Sequence, residues 1–341
     1  MDIFLSILLL LVGLFLIVKG GDWFVDSSVQ IAKRSGIPEL IIGATVVSIG
    51  TTIPELLVST IAVIQGKLAN DVAVLSDMSA IAINNAVGSM LCNIGLILSI
   101  VMIFSVIETK SRGFAEKSIY FIIVSVLVTI FAITEKTIVL WEAIILLVLF
   151  VGFITINVID AKRQQKLELS MPQEEKSDTE LKPVWWIIVF FILGAGGIAG
   201  GAYLLVNCGQ FLAEKMNIPS AIIGATIIAV GTSLPELVTA ITSLKKKSID
   251  LSMGNVIGAN IVNATLLLGL ISTISGQGLI LDNATYNLSI WFMLALTFIT
   301  VLPCLFKKKT TRIQGITLLT IYLAYLITNI TLVALGNPIV M

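Results

Sequence analysis

Ile37–Leu56 reads IPELIIGATVVSIGTTIPEL, and Ile218–Leu237 reads IPSAIIGATIIAVGTSLPEL, at an offset of 181 residues. A second pair follows each of them. Asn85–Asn93 reads NAVGSMLCN and Asn255–Asn263 reads NVIGANIVN, now at an offset of 170. Self-similarity of this kind marks a chain built from two related halves. The change of offset puts 11 extra residues in the first half, somewhere in Gly66–Ile83.

The surroundings of these segments are those of a membrane protein. Of the 341 residues 57% are hydrophobic and 12% charged, with a mean hydropathy of +1.04, whereas a soluble domain carries about 25% charged residues. Runs long enough to cross a bilayer, about 20 residues each, fall at roughly 3–32, 39–65, 72–106, 118–134, 138–158, 185–207, 219–243, 251–275, 284–306 and 312–335. The first opens Met-Asp with no basic region and ends in Lys19-Gly20-Gly21-Asp22 without a small-x-small site, so it reads as a membrane helix rather than a cleaved signal. The fold class expected is an all-α integral membrane protein of ten transmembrane helices. Five spans per half make the two repeats inverted, and inverted repeats place an ion site at the midplane. The halves divide as 1–159 and 184–341. Between them Asp160–Pro183, rich in Lys, Glu and Gln, reads as a flexible linker.

Basic residues orient the spans. With the N-terminus outside, 17 fall in inner connections, among them Lys33, Arg34, Lys110, Arg112, Lys117, the linker cations, Lys245–Lys247 and Lys307–Lys309. Only Lys67, Lys136 and Lys215 fall outside, and Lys19 alone is placed within a span. This asymmetry expects both termini outside and the linker in the cytoplasm, at a cell membrane.

The duplicated segments carry the chemistry. In Gly50-Thr51-Thr52-Ile53-Pro54-Glu55 the proline removes a backbone donor, which frees a carbonyl near Gly50. Such a break in mid-membrane is tolerated where the freed carbonyl meets protein, water or an ion. Thr51 and Thr52 add hydroxyls and Glu55 a carboxylate; the second half repeats them as Thr232, Ser233, Pro235 and Glu236. One buried glutamate can be protonated and hydrogen-bonded to a neighbour. Two in duplicated motifs, with no buried Lys or Arg expected beside them, point instead to a shared divalent cation. Threonine and serine hydroxyls can equally bond back to their own helix. Ser89 and Asn93, and Ala259 and Asn263, share helix faces at four-residue spacing, with Gly88 and Gly258 leaving room for close helix approach. The donor set is all oxygen, the preference of Ca²⁺ and Na⁺. There is no histidine, and Cys92, Cys208 and Cys304 stand apart as packing residues. Asp22 and Asp26 read as solvated, paired with Lys33 or guarding ion entry, and Glu142 has no assigned role.

GATVVSIGTTIPEL and GATIIAVGTSLPEL, each followed by a G-[SA]-x-x-x-N segment, resemble the α-repeats of the sodium/calcium exchangers, within the calcium/cation antiporter superfamily. The repeats would occupy 43–60 with 85–98, and 224–241 with 255–269. The resemblance implies Na⁺/Ca²⁺ antiport by alternating access, with the first and sixth helices sliding across a fixed bundle, and no enzyme activity or cofactor. It implies that Glu55 and Glu236 bind Ca²⁺ and share in Na⁺ binding. Thr51, Thr52, Thr232, Ser233, Ser89, Asn93 and Asn263 would hold the remaining side-chain ligand positions, and Ser48 and Ala229 would offer main-chain carbonyls. Partners are then Ca²⁺, Na⁺ and the bilayer, with no nucleic acid. Ala259 stands where the family has serine, so one Na⁺ hydroxyl is missing. Asn263 stands where the potassium-dependent branch has aspartate, which argues against K⁺. An H⁺/Ca²⁺ antiporter using the same glutamates and a passive cation channel are the rival readings. A membrane hydrolase lacks a nucleophile with its base.

Overall fold

A computed structural model describes residues 3–69, 71–109, 112–170, 182–215, 229–276 and 278–335. With no water in the hydrocarbon, a spanning backbone must satisfy its own polar groups, and the described chain is almost wholly helical. Its ten helical segments are α1 Ile3–Ser35, α2 Glu39–Leu68, α3 72–104, α4 Arg112–Glu135, α5 Leu140–Ser170, α6 Val184–Lys215, α7 229–245, α8 Ile249–Ser275, α9 Thr285–Lys307 and α10 Arg312–Ala334. Nine of them are long and apolar enough among the described residues to cross a membrane. The expected seventh span, 219–243, lies in part outside the described residues.

α3 and α8 form the centre. Within their apolar windows 72% and 78% of residues are buried, against 22% in both α1 and α10, so the helices bearing the second motif segments are the ones most enclosed by protein. Both carry a π-turn at corresponding places, Asn93–Leu98 and Asn263–Leu267, the widened helix turn often found at functional sites. The outer helices present Phe15, Val148, Val151, Ile192 and Ile327 on the surface, as lipid-facing helices do.

The loops sort into two sets, as inverted halves require. The segment after α3 pairs with the segment after α9: Thr109 N–H donates to the Lys308 carbonyl at 2.8 Å and Thr310 N–H to Ile107 at 2.9 Å. On the opposite side β1 (Thr137–Ile138) pairs antiparallel with β2 (Leu279–Ile280), and Lys67 Nζ donates to the Ile274 carbonyl at 2.9 Å.

The 11 extra residues lengthen two helices. Mapped by the offset of 181, α7 ends at Lys245, equivalent to residue 64, while α2 runs to Leu68. Mapped by 170, α8 begins at Ile249, equivalent to residue 79, while α3 begins at Val72. Four residues on one arm and seven on the other account for the whole insertion.

Several expectations are corrected. α5 continues past 158 to Ser170, because AKRQQKLEL is made of good helix formers; the first part of the expected linker is therefore helical, and 171–181 lie outside the described residues. α4 begins at Arg112 rather than 118, which makes Lys117 a helix residue, 3% exposed, instead of a loop cation. Lys19 lies within α1, as expected, and is exposed. Glu142 is buried and its Oε2 accepts from Val139 N–H at 3.0 Å, capping the start of α5. Asp22 and Asp26 do not pair with Lys33. Lys246 Nζ lies 2.7 Å from Asp26 Oδ1 and 3.7 Å from Asp22 Oδ1, tying α1 to the end of α7. Cys92, Cys208 and Cys304 are free and buried, as expected.

Candidate functional site

The site is made by the crossing of α2 over α8. Gly43, Gly254 and Gly258 let the two backbones touch: a Cβ on Gly258 would lie 2.6 Å from the Ala44 carbonyl oxygen, and one on Gly254 would collide with the Leu40 carbonyl. At Gly88 a Cβ meets nothing within 4 Å among the described residues, so the close approach is seen for the second glycine and untested for the first. Its internal equivalent would face residues near 225, outside the described residues.

The expected break at Pro54 is absent. Helix Ser48–Leu68 runs through the proline, preceded by a π-turn at Gly43–Val47. The break is in the second half, where Ser233 separates Ala229–Thr232 from Leu234–Lys245 and Pro235 occupies the first turn of the new helix, the place where a proline lacks no hydrogen bond. Glu236 therefore sits in the first turn of a helix, near backbone N–H groups without intrahelical acceptors.

Glu55 and Glu236 are both 0% exposed and close enough to repel each other. Ser89 Oγ is 3.4 Å from Glu55 Oε1. Thr52 Oγ1, from the other half of the chain, is 3.5 Å from Glu236 Oε1 and donates to the Ser48 carbonyl at 2.6 Å. Thr51 Oγ1 lies 3.3 Å from the same carbonyl. Thr52 thus bonds back to its own helix, Thr51 shares its one hydroxyl hydrogen between that carbonyl and a side chain of the other half, and the carbonyl expected of Ser48 is engaged by both. Ala229 opens the short helix before the break.

Two hydrogen bonds tie the halves reciprocally. Thr51 Oγ1 donates to Asn255 Oδ1 at 3.2 Å, and Thr232 Oγ1 donates to Asn85 Oδ1 at 3.1 Å. Each joins one half's first motif to the other's second. Asn85 Nδ2 also donates to Ser59 Oγ at 2.9 Å and to the Glu55 carbonyl at 3.3 Å. Sequence reasoning assigned no role to Asn85 or Asn255, although each stands one helical turn before Ser89 or Ala259. It also passed over Asn260, which accepts from Asn93 Nδ2 at 3.0 Å. The equivalent of Asn260 in the first half is Met90, so duplication gave no signal there.

Around this centre lie fully enclosed oxygens with no protein partner among the described residues: Glu55 Oε2, Glu236 Oε2, Ser233 Oγ, Asn93 Oδ1 and Asn263 Oδ1. Buried polar atoms are ordinarily hydrogen-bonded, and a concentration of bare oxygens beside two carboxylates is the donor chemistry of a hard cation. α1 and α6 cover one flank. They pack backbone to backbone through Gly20 and Gly194, and Gly13 and Gly201, with would-be Cβ contacts of 2.8 and 2.5 Å. The ring of Phe24 lies against Gly50, and a small cavity remains between Thr51, Pro54 and Pro235 on one side and Ala195 and Ile198 on the other.

The sodium/calcium exchanger protein family matches this chain over residues 5–159 and 186–331. This chain belongs to that family. The exchanger is 30% identical to the sodium/calcium exchanger MaX1 of Methanosarcina acetivorans, across 94% of this chain and 97% of the relative. It is likewise 30% identical to the putative antiporter CaxA of Alkalimonas amylolytica, across 92% and 95%. Among solved structures, the sodium-calcium exchanger NCX_Mj soaked with 10 mM Na⁺ superposes with a TM-score of 0.79 at 29% identity, covering 95% of this exchanger and 98% of that chain. The exchanger is a multi-pass membrane transporter with inverted repeats, not an enzyme.

Proposed function

We propose that this exchanger is a Na⁺/Ca²⁺ antiporter that works by alternating access, with both termini outside and the 160–183 linker in the cytoplasm. One observation carries the reading: two enclosed carboxylates, one from each repeat, share a centre with bare oxygens and with no basic side chain among the described residues that contact them. Two unneutralised carboxylates in such a place repel and are poorly solvated. A divalent ion neutralises both, and Na⁺ ions can replace it on the same oxygens. Glu55 and Glu236 are the shared ligands. Ser233, Ser89, Asn93 and Asn263 supply further oxygens, and Thr51, Thr52 and Thr232 hold the frame or turn inward when an ion enters. Ala229 contributes a carbonyl, and Ser48 does so once the threonines that hold its carbonyl turn away from it. α1 and α6, locked to one another by glycine contacts, move as a pair across the flank that holds the small cavity.

The test is ⁴⁵Ca²⁺ uptake into proteoliposomes under an imposed Na⁺ gradient and, separately, an imposed pH gradient. Uptake driven by Na⁺ alone supports the reading. Uptake driven only by the pH gradient replaces it with H⁺/Ca²⁺ antiport through the same glutamates, and uptake without any counter-ion makes the protein a channel. The same assay in K⁺-free buffer is expected to give undiminished flux, because Asn263 offers an amide where K⁺ coupling calls for a carboxylate; flux that returns only when K⁺ is added would refute this.

Ala259 is the internal equivalent of Ser89 and is fully buried, yet it brings no hydroxyl to the Glu236 side. Ala259→Ser is expected to lower the Na⁺ midpoint of Na⁺-dependent Ca²⁺ efflux by about 2- to 10-fold, the worth of one additional polar contact, while Ca²⁺ affinity stays nearly constant because it rests on the carboxylates. An unchanged Na⁺ midpoint would show that another oxygen already fills the position.

A further inference from the structure

Away from the ion centre, α4 and α5 enclose a cleft of ≈ 410 Å³ near their inner ends, within the size range of small-molecule sites. Its mouth is framed by Ile119, Ile123 and Ile156, exposed by 47%, 47% and 41%. Those side chains face the lipid, so the cleft opens sideways into the bilayer. Phe153 forms its apolar floor. Its other end is polar. Lys117 is 3% exposed and its Nζ has no hydrogen-bond partner among the described residues, and Asn157, 1% exposed, leaves its Oδ1 bare. The Asn157 amide nitrogen is committed to the Phe153 carbonyl at 2.8 Å. Glu116 also lines the cleft, and Asp160 approaches the same corner: a point above Gly113 lies 3.8 Å from Lys117 Nζ and 3.9 Å from Asp160 Oδ2.

A lysine near a helix end ordinarily extends to the interface. Here the side chain is enclosed by protein and keeps an unused ammonium. Lys117 is five residues into α4, about 7 Å along the axis at 1.5 Å per residue, within a lysine side chain's reach of the boundary between hydrocarbon and headgroups. An occupant that enters from the hydrocarbon, fills an apolar cleft, offers an anionic oxygen at this depth and carries a hydrogen-bond donor beyond it has the chemistry of a phospholipid.

We propose that this cleft is a phospholipid site. One acyl chain lies over Phe153 between the three isoleucines, and the phosphate accepts from Lys117. An amine headgroup, as in phosphatidylethanolamine, donates to Asn157 Oδ1 and meets the carboxylate of Asp160, one turn nearer the inner end of α5. The mixed charge at the cleft favours this zwitterion over a purely anionic headgroup.

The test is native mass spectrometry of the full chain released from detergent micelles, titrated with dioleoylphosphatidylethanolamine. One retained equivalent is expected. Dioleoylglycerol, which lacks the phosphate, should be retained at least tenfold less, and inorganic phosphate should not compete. Lys117→Gln should lower retention about tenfold and Lys117→Arg should restore it. Ile156→Trp, which blocks the mouth from a lipid-exposed position and leaves the fold alone, should lower it to the same extent. Ca²⁺ exchange in all three variants serves as the check that the bundle is intact. Equal retention by Lys117→Gln and wild type, equal retention of dioleoylglycerol, or displacement by inorganic phosphate would each overturn the proposal.

Discussion

Glu55→Gln and Glu236→Gln are each expected to abolish Na⁺-driven ⁴⁵Ca²⁺ uptake while leaving a monodisperse, helical protein. Glutamine keeps the volume and one carbonyl oxygen but removes a full charge from a centre that has only two carboxylates, both 0% exposed. Removing one partner from a buried charge interaction costs about 3–5 kcal/mol, which is roughly two to four orders of magnitude in Ca²⁺ affinity. Folding should tolerate the change, since Glu55 Oε2 and Glu236 Oε2 make no protein hydrogen bond among the described residues. Glu142→Gln is the control. That carboxylate is equally enclosed but caps α5 through Val139 N–H, so its replacement should lower thermal stability and spare transport. Near-normal Ca²⁺ flux in either motif variant would remove the paired-glutamate site.

The second large effect is structural. Gly254→Ala is expected to lower the melting temperature of the detergent-solubilised protein by several degrees and to reduce Ca²⁺ flux about tenfold; Gly254→Val should prevent accumulation of folded protein. A Cβ on Gly254 meets the Leu40 carbonyl and lies 2.9 Å from Ala44 N. These are backbone atoms, so relief requires α2 and α8 to separate. Overpacking of this kind costs about 1–3 kcal/mol. The separation also stretches the bond from Thr51 to Asn255, 3.2 Å long at the same crossing, which is why flux should fall together with stability. Wild-type stability in Gly254→Ala would show that the crossing yields at little cost.

Much of this molecule follows from the order of residues alone. Hydrocarbon excludes water, so an apolar run of sufficient length becomes a helix whatever its neighbours do, and the spans are legible one at a time. The duplication at offsets of 181 and 170 gives the inverted halves, and identical residues in both copies single out Glu55 and Glu236. What stayed hidden depends on atoms from distant parts of the chain. Pro54 and Pro235 look alike in sequence, yet only the second accompanies a break, because α2 keeps its helix while Ser233 turns. Asp22 and Asp26 meet Lys246 rather than Lys33 because α1 packs along α7. The reciprocal bonds of Thr51 with Asn255 and Thr232 with Asn85, the Asn93–Asn260 pair and the enclosure of Lys117 all arise where one helix crosses or flanks another. Local hydrophobicity and local spacing determine that a helix spans and which of its faces is polar. Which polar atoms then find each other is decided by the packing, through glycines whose worth lies in the backbone that comes to lie against them.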